Sequence, residues 1–475
     1  MSRDAKMKKI DGEKGETMGI SYELAKFIAE TQYEDIPKEV FETQKKSIVD
    51  GIGITLGAAT LGDGCREFVE LAVENSSGGA GEATVIGFDR KLPAGWAAFA
   101  NAAMAHSLDF GDTQMDAVVH SNASTFPAAL AVAQKLGNVD GKKLLTALVL
   151  GSETACRVSL GSNEDLEKYG YYMPTIYTSF GATAAVCKLL DLTPKQIVDA
   201  FSFNLCQTTC SSELMNNSKT VMRSVREAFS ARNAVLSGQI AAKGLNGFEE
   251  PLEGKLGFYH AYARDNCTLE RVTEDLGKKY YAGSLYFKLW PSCAGTHPGI
   301  IAVTELAKQH HILPEEIERI HVVVSQRNKM LMEPEEIRKA PTTSIIGKFS
   351  IPYTASVALV KGNVTLDDFQ PEAFKDKRVL ELASKFTHET NEGWGKTEGM
   401  NTDVTIYTSR GEFHYFYTEV GKERKDTSME ELKEKLKSCA RHSLHEKTEE
   451  TLDQITDMVE HLEELDNIEK FTAIL

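Results

Sequence analysis

Ala105-His106-Ser107-Leu108-Asp109-Phe110-Gly111-Asp112-Thr113, followed by His120-Ser121 and Phe126-Pro127, is the stretch of this chain that says most. An alanine-rich run from Trp96 to Ala105 leads into it, and Ala128-Ala129-Leu130-Ala131-Val132-Ala133 leads out. Both flanks read as buried helix, so imidazoles, carboxylates and hydroxyls gather where an apolar helical core is interrupted. Such groups suit proton transfer, because each can bond or titrate where water is scarce. Helix capping accounts for any single Asp or Thr, and less well for a cluster that also holds His106 and His120.

Working outward, the pattern is helical from Tyr22 to about residue 270. Pro37 to Gly57 and Lys143 to Val158 show apolar residues at helical spacing. Thr178 to Leu190 is rich in small residues, which lets neighbouring helices approach closely. Thr193-Pro194 opens a helix with a cap residue and a first-turn proline, and Ser230 to Lys243 closes on Gly244. The pattern then changes. Arg319 to Ser325 is β-branched and short, and Asp403 to Glu419 alternates on both sides of Ser409-Arg410-Gly411, as a hairpin does. Helices are predicted at Pro298 to His310 and at about Pro352 to Val360. The chain thus divides into helical residues 1–274, an α+β unit at 275–425, and a charged amphipathic tail at 426–475 that packs back on the first part.

At 475 residues the chain exceeds one compact core. Its net charge of −16 argues against a general nucleic-acid binder. A small anion remains possible, but its site must concentrate cations locally. The eight cysteines show no zinc-finger or thioredoxin spacing; Cys206 and Cys210 are read as buried thiols on one helical face. No export signal precedes residue 20, and no apolar run is long enough for a membrane span. The expectation is a soluble, reduced, cytoplasmic enzyme.

Four further clusters carry possible chemistry. Tyr172 and Thr175 sit before the small-residue helix and offer hydroxyls, although buried tyrosines need partners in any case. Lys219, Arg223 and Arg226 would share one face at helical spacing, as an anion site or as an exposed basic face; arginine fits a carboxylate with two parallel hydrogen bonds. Lys288 lies in the aromatic, apolar stretch Phe287 to Trp290, so it must find a carboxylate or shift its pKa. After it, Thr296 is placed to cap a helix that starts near His297. Tyr353 opens an apolar helix, with its hydroxyl facing a cleft or merely packed. His106, Asp109, Asp112 and His120 could in principle hold a metal, but their spacing fits no standard zinc motif. P-loop, nucleophile-elbow and Rossmann glycine patterns are missing.

AHSLDFGDT at 105–113, HSNASTFPAALAVA at 120–133, YYMPTIYTSFGATAA at 171–185, KLWPSCAGTHPGI at 288–300 and KFSIPYTASVAL at 348–359, in this order, resemble the MmgE/PrpD family over nearly the whole chain. The resemblance implies a mainly α fold: a large all-helical domain formed by both chain ends, with a smaller inserted α+β lid domain, usually as a homodimer. It implies a site between the domains that uses neither metal nor organic cofactor, with Asp109, Thr113, His120, Lys288, His297 and Tyr353 as site residues and Arg223 at a basic position. His106 and Tyr172 are expected beside the substrate. Three positions depart from the family's usual pattern: Gly111 replaces an aspartate, and Tyr172 and Arg226 stand where relatives often have histidine. Exchanging imidazole for tyrosine removes a group titrating near 6.5 and leaves one near 10.

The implied chemistry makes or quenches a carbanion next to a carboxylate, which demands fixed positive charge and donors. On this reading Lys288 and Arg223 bind substrate carboxylates and Thr113 assists. His120 moves the proton, Asp109 orients it, and Tyr353 is a second acid. The expected activity is a lyase acting on a small di- or tricarboxylate: dehydration of the 2-methylcitrate type first, then decarboxylation of the cis-aconitate type, then epimerisation. An iron–sulfur hydratase would need converging cysteines, and a non-catalytic binding descendant would not need such varied acid–base groups.

Overall fold

Small residues decide how the helical part packs. In the computed structural model, which describes residues 19–76, 81–163, 166–217, 220–395, 397–418 and 426–475, helix Gly141–Leu160 lies against helix Met173–Leu189. A Cβ added at Gly151 would come 2.8 Å from the Gly181 carbonyl oxygen, and one at Gly181 only 2.5 Å from that of Gly151. Backbones this close exclude any side chain. The same device receives the C-terminal tail: Gly53 and Gly57 of helix Lys38–Leu61 face Leu436 and Cys439 of helix Met429–Ala440. Ile48, Leu148, Leu436 and Phe471 accordingly share one buried core, drawn from both chain ends. Helix Ala94–Ala105 is buried on nearly every face, as its uniform alanine content requires.

Local signals hold at most element ends. Thr193 caps helix Pro194–Leu205 in a reciprocal pair with Gln196, and Gly244 takes a left-handed φ of 77° just past helix Glu227–Ala242. The α+β part holds a four-stranded sheet. Ile317–Ser325 runs parallel to Phe386–Asn391 on one side and antiparallel to Thr402–Thr408 on the other, and Thr402–Thr408 pairs in turn with Gly411–Tyr417. Ile320, Val322, Val324, Val404 and Ile406 face helices His297–His310 and Ile351–Lys361 in a second core. Each such side chain contributes roughly 1.5–3 kcal/mol of burial.

Several expectations are corrected. A two-stranded ribbon, Ala83–Val85 with Arg90–Leu92, interrupts the helical part. Strand Phe386–Asn391 carries few β-branched residues and escapes sequence reading. Cys206 ends helix Pro194–Leu205 and is exposed, whereas Cys210 lies beyond the helix and is buried, so they share no helical face. Thr296 makes no side-chain cap; its hydroxyl donates to the Cys293 carbonyl at 2.8 Å. The basic segment is not one helix either, because Arg223 sits in the single turn Met222–Val225 and Arg226 at the junction with Glu227–Ala242. Lys219 and Glu419 lie outside the described residues. No helix among the described residues is long and apolar enough to cross a membrane.

Candidate active site

An antiparallel bridge between Thr113 and Tyr286 assembles the centre, with backbone hydrogen bonds of 2.9 and 2.8 Å. It sets Lys288 against the turn that ends helix Ala94–Ala105. Asp109 there adopts a left-handed φ of 51°, a conformation aspartate tolerates better than most residues. Lys288 Nζ donates to Asp109 Oδ1 at 2.7 Å and to the Asp109 carbonyl at 2.9 Å. Both residues are buried. Burial pushes the Asp109 carboxyl up, but the Lys288 ammonium, helped by Arg223, outweighs it and holds the group well below the usual range.

The approach of the 286–288 segment is fixed from below. On helix Gly141–Leu160 the fully buried Arg157 pairs with Glu153 at 2.6 Å and donates to the carbonyls of Val272, Glu274 and Lys279. Glu153 accepts the Ala282 amide. From the opposite side Lys435, in the C-terminal helix, pairs with Asp50 at 2.6 Å and donates to the carbonyls of Phe110 at 2.7 Å and Lys288 at 3.0 Å. The tail therefore clamps both strands of the site backbone.

Two imidazoles stand beside the pair. His106 Nε2 lies 3.6 Å from Asp109 Oδ1, and its ring centroid is 4.1 Å from that of His120. His120 Nδ1 is 2.9 Å from the Asp112 carbonyl and 3.1 Å from Thr113 Oγ1. A carbonyl only accepts, so Nδ1 carries the proton and Nε2 presents its lone pair. Asp109 does not orient His120; the Asp112 backbone and Thr113 do. Burial, with help from Lys288, lowers His120 to about 3, and burial together with His120 and Arg226 holds His106 well below its ordinary value. Behind them Asp112 accepts from Ser47 and from Asn122, and burial pushes its carboxyl up to about 6.

His106 and Asp109 open onto a cavity of about 670 Å³, walled also by residues 60–64, by Thr220, Arg223, Ser224 and Arg226, by Thr342–Ile345 and Lys348, and by Phe369 and Phe374. His106 Nδ1, Asp109 Oδ2 and Ser224 Oγ have no hydrogen-bond partner among the described residues. These are groups a polar ligand can satisfy. His120 instead borders a small adjoining recess together with His106, Gly111 and Asp112. A Cβ at Gly111 would meet only Ile54 at 3.7 Å and the Ala105 carbonyl at 3.9 Å, so packing does not demand glycine.

The departures Tyr172 and Arg226 meet each other. The guanidinium lies 4.9 Å over the Tyr172 ring and donates to its hydroxyl at 3.4 Å, while Nε donates to Thr175 at 3.1 Å. Glu227 balances this charge 3.3 Å from Arg226 Nε and accepts from Ser124, Thr175 and Thr178. Arg223 has no such counterion among the described residues; it stacks on Phe349 at 4.1 Å and touches Met215 Sδ. His297 pairs through Nδ1 with the Tyr286 hydroxyl at 2.7 Å, and burial lowers it to about 3.

Tyr353 is placed otherwise than expected. Its hydroxyl donates to the Asp368 carbonyl at 2.6 Å amid Phe369 and Phe374, and the side chain does not line the cavity. Lys288 likewise stands behind Asp109 rather than on the cavity wall. Sequence reading missed Lys435, Glu227 and Lys348. For Lys435 the signal was its register with Leu432, Leu436 and Cys439, which put it on the buried edge of a helix taken as solvated.

A family model described as the MmgE/PrpD N-terminal domain matches residues 22–269, and one described as the MmgE/PrpD C-terminal domain matches residues 290–461. The chain is 26% identical over 406 residues to a cis-aconitate decarboxylase of Aspergillus terreus, covering 81% of each chain. It is 27% identical over 391 residues to a cis-aconitate decarboxylase-like protein of Aspergillus oryzae, covering 78% of this chain and 79% of the other. To the Homo sapiens cis-aconitate decarboxylase it is 26% identical over 457 residues, covering 92% and 90%.

Proposed function

The chain belongs to the MmgE/PrpD family, and from that premise we propose that it is a lyase acting on a small tricarboxylate through a carbanion stabilised by fixed charge. The observation that carries this reading is the buried Lys288–Asp109 pair at 2.7 Å, with His106 beside it at the cavity wall. An ionised carboxylate, neutral imidazoles and an uncompensated arginine around one cavity suit reversible protonation of carbon next to a carboxylate.

In this proposal Arg223 takes a substrate carboxylate, and Lys288 acts through Asp109, which it keeps ionised. His120, aligned by Thr113 and the Asp112 carbonyl, exchanges the proton together with His106. The α+β part, which supplies Thr342–Lys348 and Phe369–Phe374 to the cavity, serves as the lid over the helical part.

Decarboxylation takes precedence over the dehydration expected from sequence. The curated relatives are named for cis-aconitate decarboxylation. Dehydration also needs an acid for the departing hydroxide, and His106, His120 and His297 are neutral at pH 7. Carbon dioxide leaves without one. The carbanion left behind, more basic than a departing hydroxide, takes its proton from a solvent water relayed by His120 and His106, the hydroxide being released to solvent. Incubation of the purified protein in D₂O with cis-aconitate, citrate-type hydroxy acids and amino-dicarboxylates, followed by NMR, tests the reading. Loss of one carboxylate with one deuterium gained at carbon is expected from cis-aconitate. Neither turnover nor exchange with any member of the panel refutes it.

A further inference from the structure

The buried lysines of the described chain come with their partners, save one. Lys45 pairs with Glu463 at 2.8 Å, Lys188 donates to the carbonyls of Ala29 and Thr31, and Lys288 has Asp109. Lys348, at the end of the short helix Ser344–Lys348, is only 4% exposed and lines the cavity, yet its ammonium makes no hydrogen bond or ion pair among the described residues. The Phe369 ring, 5.8 Å from Nζ, is a weak substitute for a counterion. A buried ammonium without an anion is costly, and burial accordingly lowers Lys348 to about 8, with Asp109 and Asp63 pulling the other way. A site that retains such a group is built for an anion that arrives from outside.

A second cation of the same kind is adjacent. Arg223 stacks on Phe349, the residue after Lys348, and likewise lacks a carboxylate. The two come from different parts of the chain, and both line the cavity that His106 and Asp109 open onto. Their neighbours in the wall, Ser224 and Thr343, add hydroxyl groups, and the acids of the wall, Asp63, Glu67 and Asp109, form no ion pair with either cation among the described residues.

We propose that Lys348 is a substrate-binding residue that acts with Arg223 to hold two carboxylates of a tricarboxylate, which turns the carbon bearing the third toward the neutral His106. This rests on the polycarboxylate reading of the site and extends it: Lys348 sets the preference for a polycarboxylate over a monocarboxylate. Salt-like pairing inside a closed cavity gives each carboxylate a separate contribution, so removing one cation penalises the ligand that uses it.

Calorimetric titration of the full chain with propane-1,2,3-tricarboxylate and with butyrate, for the wild type, Lys348→Gln and Lys348→Arg, tests the proposal. Wild type binds the tricarboxylate at least tenfold more tightly than butyrate. Lys348→Gln loses tenfold or more for the tricarboxylate and less than threefold for butyrate, which Arg223 alone can hold, and Lys348→Arg restores most of the difference. Equal losses for both ligands, or none, overturn the role of Lys348 while tricarboxylate binding by wild type keeps the polycarboxylate reading standing. If wild type binds neither ligand, that reading falls and takes the proposal with it.

Discussion

Replacing Lys288 by methionine probes the pair on which the site is built. Methionine keeps the unbranched apolar stem and much of its packing. The substitution removes the ammonium 2.7 Å from Asp109 Oδ1 and the donor 2.9 Å from its carbonyl. Asp109, 6% exposed, keeps His106 Nε2 at 3.6 Å from Oδ1 but loses its ion pair. Breaking a buried pair from one side costs about 3–5 kcal/mol, because the other charge stays behind. With both residues buried, solvent screening offers no discount.

The loss carries a pH signature. The folded Asp109 carboxyl is held well below its unfolded value. Its stabilisation is therefore full above about pH 4 and fades as pH falls through the folded value. Without Lys288 burial dominates and raises the Asp109 carboxyl of the variant. The variant therefore regains stability as that group takes up a proton on acidification, and the gap to wild type is widest at pH 7 and narrows toward pH 4. Replacing both partners, as Lys288→Met with Asp109→Asn, which keeps a residue suited to the left-handed φ, recovers much of the loss, with a coupling of about 1–3 kcal/mol in the double-mutant cycle. Urea denaturation at pH 7 and pH 4.5 provides the measurement. A single-variant cost below about 1 kcal/mol, or one that does not change with pH, would show that the pair is not what keeps Asp109 ionised.

His120→Gln keeps the ring's approximate volume and removes the Nε2 lone pair, so turnover falls by about 10²–10⁴ with the fold intact; near-normal rates remove His120 from the mechanism. Because His120 and His297 are each lowered to about 3 in the fold, the unfolded chain binds more protons between about pH 4 and 6. Each of these histidines then subtracts up to about 1.4 kcal/mol per unit as pH falls, offset in part by Asp112, raised to about 6. Acid denaturation curves of the wild type and His297→Gln give the difference. Tyr353→Phe deletes the bond to the Asp368 carbonyl and costs about 0.5–1.5 kcal/mol of stability; a collapse of kcat with stability unchanged would return that hydroxyl to the chemistry.

Much of the helical part was legible because its signals are local. The interruption after Ala105, the Thr193 cap and the small-residue run each depend on neighbours a few positions away. Lys288 was readable as a lysine in need of a carboxylate, but its partner was not, since Asp109 reaches it only through the Thr113–Tyr286 bridge. The same long-range closure hid Lys435, whose partners are Asp50 and two backbone carbonyls far away in sequence. Tyr353 misled because a tyrosine at a helix start has the same sequence signature whether its hydroxyl meets a substrate or a carbonyl. Phe386–Asn391 was missed for a related reason: its pairing with Ile317–Ser325 organises residues that have weak strand propensity.

A crystal structure of the protein with propane-1,2,3-tricarboxylate bound tests the central claim most directly. The account predicts the ligand inside the 670 Å³ cavity, one carboxylate on Arg223, one on Lys348, and the remaining carbon end within contact of His106. A ligand bound outside this cavity, or inside it with His106 untouched, would contradict the account.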